Sequence, residues 1–123
     1  MRSYQELDVW QVGMALAEAC YRTTRKFPND ERYGLTSQIR RAATSIPANV
    51  AEGYGRENTG SYIQFLRISQ GSTKELETHI ELARRNEILG GDDAAALQHE
   101  CERVSKMLRN LIRALQAKLA AKT

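Results

Sequence analysis

The sequence predicts an all-α protein, an up-down-up-down four-helix bundle built from residues 1–123 as one domain. Three observations predict it. Four stretches carry apolar residues at spacings of three and four, the pattern of a helix face turned to a core. Short turns bearing Gly, Pro or Asn separate them, which suits antiparallel neighbours. Alternating or β-branched runs that would indicate strands are few.

The first helix is expected from Asp8 to about Lys26, with Leu7, Trp10, Met14, Ala17, Tyr21 and Thr24 on one face, and Phe27 before the Pro28-Asn29 stop. The second starts near Tyr33 to Thr36 and runs to about Glu52, where Gly53 and Gly55 stop it. Its stripe is Leu35, Ile39, Ala42, Ile46, Val50 and Gly53, and its other face carries Arg40, Arg41 and Glu52. Pro47 lies inside the pattern, lacks an N–H and clashes with the Ala43 carbonyl; because the stripe continues in phase, one kinked helix is expected rather than two.

Asn58 or Thr59 caps a third helix that runs to about Leu89, with Tyr62, Phe65, Ser69, Ser72, Leu76, Ile80 and Ala83 on its stripe. Gly71 weakens it by ~1 kcal/mol relative to alanine. The small residues Ser69, Gly71 and Ser72 read either as a close approach by another helix or as a local weak point. Gly90-Gly91-Asp92-Asp93 supplies a C-terminal stop followed by an N-cap. The fourth helix, Asp93 to Lys122, has the cleanest heptad: Leu97, Cys101, Val104, Leu108, Leu111 and Leu115.

No window approaches the ~20 apolar residues of a membrane span. The opening MRSYQELDVW has acids at Glu6 and Asp8 and does not read as a signal peptide. Cys20 and Cys101 fall on or beside apolar stripes without a CxxC spacing, so both are expected as buried free thiols in a reducing, cytoplasmic setting.

Catalytic chemistry finds little footing. No pair of titratable groups has a spacing that implies shared work, so no enzyme activity, cofactor or small-molecule substrate is expected. A di-iron bundle needs inward glutamates and Glu-x-x-His on two helices; His79 and His99 lie outside any such motif, and no metal site is expected. Gly53-Tyr54-Gly55-Arg56 invites a phosphate-loop reading, but there is no preceding strand or GxxxxGK[ST], and a helix end explains both glycines.

Basic surface is the strongest chemical feature. Arg103, Lys106, Arg109 and Arg113 fall opposite the heptad of the fourth helix, Lys118 and Lys122 follow, and after Glu102 there is no acid. Such a face neutralises phosphates without reading sequence. The bland reading is a solvated face, helped by the C-terminal dipole. Arg40 and Arg41 either extend the patch or pair with nearby acids.

The segments Leu7-Asp8-Val9-Trp10, Phe27-Pro28, Tyr33-Gly34-Leu35-Thr36, Gln38-Ile39-Arg40-Arg41-Ala42-Ala43, Ala51-Glu52-Gly53-Tyr54-Gly55-Arg56 and Gly71-Ser72 before Glu75-Leu76-Glu77-Thr78 carry a resemblance. In this order the chain resembles the bacterial four-helix-bundle family named after proteins encoded in intervening sequences of large-subunit ribosomal RNA genes. Val50 where isoleucine is usual and Thr73 where leucine is usual are its departures. The resemblance implies a left-handed bundle and a homo-oligomer. The family in turn looks related to the accessory protein of diversity-generating retroelements, a basic pentameric ring that engages nucleic acid. Ile63 and Leu66 widen the third helix's stripe, and Met107 and Ile112 flank the seam of the fourth; these four are the expected oligomer interface. The function expected is a non-enzymatic homo-oligomer, a pentamer as that relative suggests, that contacts RNA or DNA backbone through Arg40, Arg41, Arg103, Lys106, Arg109 and Arg113. The alternative is an oligomeric protein-interaction scaffold.

Overall fold

The computed structural model describes residues 3–122. A 3-10 turn, Tyr4–Glu6, leads into α1 (Asp8–Thr24); a second, Asn29–Glu31, leads into α2 (Leu35–Tyr54); α3 (Thr59–Arg85) and α4 (Gly91–Ala121) follow. Among the described residues α1 packs on α2, α2 on α3, α3 on α4 and α4 back on α1, while the backbones of the diagonal pairs stand further apart. Every interface is antiparallel. Arg40 meets Thr24 across α1 and α2 while Gly13 faces Pro47; Ser69 meets Ile46 while Arg41 meets Glu75; Gln98 meets Glu77; and Lys26 meets Asp93 while Leu7 neighbours Met107. The four-helix bundle read from the stripes is therefore the fold.

Leu16, Cys20, Ile39, Ile46, Val50, Leu66, Leu76, Ile80, Val104 and Leu108 form a continuous core. α2 follows its predicted stripe and runs unbroken through Pro47, whose ring is buried against the small Gly13 of α1. The face of α1 differs from expectation. Val9, Gly13, Leu16, Ala17, Cys20 and Thr24 are buried, whereas Met14 and Tyr21 are 36% and 37% exposed. Small residues form the true contact and the larger side chains ride on its edge. In the first half of α3 the buried positions are Ile63, Leu66 and Ser69, with Tyr62 and Phe65 half-buried beside them.

Close approach of α2 and α3 explains two further features. A Cβ on Gly53 would lie 2.8 Å from Phe65 Cβ and 3.2 Å from the Tyr62 carbonyl, so this glycine is a contact point inside the helix and not the stop that ends it. Ser69 Oγ donates to the Ile46 carbonyl at 2.9 Å, and Ser45 and Ser72 share a hydrogen bond of 2.8 Å. Ser69 and Ser72 are thus helix-contact residues, while Gly71 faces open space.

The ends also depart from the reading in places. Asn58 caps α3 as expected, its Oδ1 accepting from Ser61 N–H at 2.8 Å. α3 stops at Arg85, earlier than Leu89, where Glu87 takes a left-handed φ of 60° and the Ile88 and Leu89 amides fold back onto the Ala83 carbonyl. Gly90 then serves as N-cap of α4, and Asp92 and Asp93 sit inside the first turn, where they complement the helix dipole. α2 begins without a capping side chain of its own; Glu31 supplies one from outside, accepting from Leu35 N–H at 3.1 Å.

Candidate nucleic-acid interface

The structure separates the six basic residues singled out in the sequence. Arg40 is half-buried and engaged: Nε donates to Thr24 Oγ1 at 2.9 Å, and the guanidinium lies 4.6 Å from the centre of the Tyr21 ring. It ties α1 to α2. Arg41 is exposed but bridges to Glu75 of α3 at 3.5 Å and bonds Gln38. Arg103 has Glu100 one turn back at 3.7 Å. Lys106, Arg109 and Arg113 are exposed, occupy one face of α4, and form no ion pair among the described residues.

Arg67 of α3 joins them, and the sequence reading missed it. It is exposed, has no carboxylate partner among the described residues, and shares a surface notch with Arg109. Its signal was a polar stripe, Arg67, Gln70, Gly71 and Lys74, at helical spacing on α3. Only the antiparallel register of α3 and α4, marked by Gln98 Nε2 donating to the Glu77 carbonyl at 2.9 Å, brings that stripe beside the cations of α4. The resulting face carries Arg67, Lys106, Arg109 and Arg113. Lys74 lies at its edge, held by Glu77 at 3.1 Å.

Three of the four expected interface residues belong elsewhere. Leu66, Ile63 and Ile112 are 0%, 8% and 3% exposed, inside the protomer's own core, and offer no surface to a second copy. The seam of α4 moves from the heptad to Ile112 after Leu108, because a straight helix drifts out of a seven-residue repeat. Met107 is half-buried against the core. An exposed apolar groove of about 640 Å3 instead lies over the α1–α2 pair, lined by Trp10, Met14, Ala17, Tyr21, Pro47 and Ala51, among others, and by Arg22 and Arg25. Tyr4 closes one end, stacked edge-on against Trp10 at 5.3 Å. The sequence contained these residues but assigned Trp10, Met14 and Tyr21 inward.

Other candidates resolve simply. Arg56 pairs with Glu52 at 3.0 Å and lies 4.6 Å from the centre of the Phe65 ring, so the Gly-Tyr-Gly-Arg end ties α2 to α3. Neither glycine there has a positive φ. Burial pushes the Cys20 and Cys101 thiols up to about 12, and both are free. His79 Nε2 sits 3.4 Å from Glu75, and its Nδ1 is buried without a partner. Among the described residues no three His, Cys, Asp or Glu side chains converge on a metal position, and no helix is long and apolar enough to cross a membrane.

A family model described as 23S rRNA-intervening sequence protein matches residues 5–110. The fold is similar to the crystal structure at 1.70 Å of a protein of unknown function from the S23 ribosomal protein family of Bacteroides thetaiotaomicron. The TM-score is 0.80 and the identity 23%, over 85% of this chain and 95% of that one. At that identity the likeness shows the fold alone. No curated protein matches the chain.

Proposed function

We propose that this chain, which belongs to the 23S rRNA-intervening sequence protein family, is a non-enzymatic bundle that associates with itself and holds RNA or DNA backbone without reading sequence. The observation that carries the reading is the α3–α4 face, where Arg67, Lys106, Arg109 and Arg113 stand exposed without a carboxylate partner among the described residues. Cations free of internal partners break no ion pair when they meet phosphate, and the counterions released from the nucleic acid drive the contact. Arg40, Arg41 and Arg103 are already engaged within the protomer and contribute less.

Self-association belongs to the same proposal, because copies arranged in a closed ring multiply the basic face and focus its field. The groove over α1 and α2 and the exposed Ile68 and Leu82 of α3 are different apolar patches on one protomer. Contact between unlike patches generates rings when the rotation closes, a pentamer being one such closure. The buried thiols suit a reducing, cytoplasmic setting.

The test is fluorescence anisotropy with labelled RNA and duplex DNA at several salt concentrations, on protein of measured mass. Each phosphate contact contributes about −0.9 to the slope of log K against log salt on duplex DNA, so four contacts give about −3 to −4. Replacing Arg67, Lys106, Arg109 and Arg113 together by Gln abolishes that slope on this reading; an unchanged slope removes the face from it. The apolar groove favours a second reading, a protein scaffold whose charges serve solubility. Absence of nucleic-acid binding at low salt, together with an oligomer that Met14→Glu dissociates, selects it.

A further inference from the structure

A notch of about 400 Å3 lies between α3 and α4, lined by Arg67, Gln70, Gly71 and Lys74 on one side and by Ser105 and Arg109 on the other. Gly71 contributes no side chain to it. A Cβ built there meets nothing within 4 Å, so no close packing demands a residue that costs a helix interior ~1 kcal/mol relative to alanine. Donors surround the opening. The Arg67 and Arg109 guanidiniums have no carboxylate partner among the described residues, and Gln70 adds a carboxamide. Ser105 Oγ is buried and makes no hydrogen bond, which leaves its hydroxyl without its usual compensation. Lys74 is held by Glu77, at 3.1 and 3.4 Å, and so brings a neutralised pair rather than a free charge. Glu77 and Glu102 line the next depression along the groove, with Lys74 between the two sites, and mark the limit of the positive region.

We propose that this notch seats a single phosphate group, forked between the Arg67 and Arg109 guanidiniums, with Gln70 and, after rotation about χ1, Ser105 donating to the remaining oxygens. Planar guanidiniums present paired donors that match phosphate oxygens, and two of them give a defined position where scattered lysines give only attraction. The inference rests on the nucleic-acid reading for the source of that phosphate, a backbone phosphodiester. A terminal monoester and free inorganic phosphate share the chemistry. A seat of this kind adds one anchored point to an otherwise sliding contact and fixes where the backbone crosses the α3–α4 face.

The experiment is a 15N-edited NMR titration of the full chain with inorganic phosphate, against chloride at matched ionic strength, for wild type, Arg109→Gln and Gly71→Leu. Gly71→Leu fills the notch and keeps every charge. Saturable shifts at the Gly71, Ser105 and Arg109 amides, with affinity at least tenfold weaker in both variants, are expected. Shifts equal to those with chloride, or phosphate binding by Gly71→Leu as tight as wild type, overturn the seat. Anisotropy with 5′-phosphorylated and unphosphorylated oligonucleotides separates the sources. Equal binding of the two, weakened by Gly71→Leu, supports the backbone phosphodiester, while preference for the phosphorylated one supports a terminal monoester. Oligonucleotide binding that Gly71→Leu leaves untouched overturns the seat and leaves the general reading standing. A saturable phosphate site in a protein that binds no oligonucleotide does the reverse and assigns the seat to free phosphate.

Discussion

Gly53→Ala and Gly71→Ala make the same chemical change in the middle or last turn of a helix, and the structure assigns them opposite signs. Adding a methyl group removes the glycine penalty at either site, a gain of ~1 kcal/mol. At Gly71 nothing opposes it, since the new Cβ meets no atom within 4 Å. At Gly53 the Cβ arrives 2.8 Å from Phe65 Cβ, 3.0 Å from Tyr62 Cδ1 and 3.2 Å from the Tyr62 carbonyl oxygen. Two of those three atoms are fixed to the α3 backbone, so the helices themselves must part. Overpacking of this kind costs 1–3 kcal/mol, roughly, and its rigid neighbours put Gly53→Ala in the upper part of that range. The net expectation is a loss of about 1 to 2 kcal/mol for Gly53→Ala and a gain of about 1 kcal/mol for Gly71→Ala. Urea denaturation at a fixed protein concentration reads both, as midpoints shifted in opposite directions with the slope unchanged. A Gly53→Ala midpoint at or above that of wild type would refute the close-approach argument.

Glu87→Gly relieves a left-handed residue that carries a Cβ and raises stability by ~1 kcal/mol, seen as a higher urea midpoint; a lower midpoint contradicts the turn geometry. Native protein at pH 8 resists iodoacetamide at both Cys20 and Cys101, whose thiols stand at about 12, and takes up two labels only when unfolded; rapid double labelling without denaturant, read by mass spectrometry, would show the thiols exposed. Hydrogen bonds from Arg84 and Arg85 hold the Glu81 carboxyl at about 2. A depressed folded-state value means that this contribution to stability is present above the ordinary carboxylate value of 4.5 and is lost as pH falls from there towards 2. Carboxyl NMR titration of wild type checks the low inflection, and in Arg84→Gln it moves upward.

How far the sequence carried the architecture differs from helix to helix. The phase of α2 was legible because its core face is built on Ile39, Ile46 and Val50, whose size leaves no ambiguity, although its end runs past Gly53 to Tyr54. α1 was misread by about one position. Trp10, Met14 and Tyr21 outweigh Gly13 and Cys20 on any scale of apolarity, yet the helices pack closely on the small residues and leave the large ones at the edge. The same confusion moved Ile63 and Leu66 outward on paper. The cations of α4 were visible as a run without acids, but which were free was not. Pairing of Arg41 with Glu75 and of Arg40 with Thr24 depends on residues far away in sequence, and Arg67 gains meaning only once α3 lies beside α4.

The Ser69 hydroxyl on the Ile46 carbonyl, and the Ser45–Ser72 bond beside it, bear on how many structures the chain could have chosen. An apolar seam is forgiving. Slid along its neighbour by one turn, about 5.4 Å, it still buries most of its area on new partners. A hydroxyl deep in that seam is unforgiving, because the same slide strands it and costs about 1–3 kcal/mol. These serines add little to the depth of the native well and much to its distance from the nearest competitor. Variants with alanine at 69 and 72 are therefore expected to keep their helix content while losing the single set of sharp NMR resonances, as α2 and α3 sample more than one axial offset.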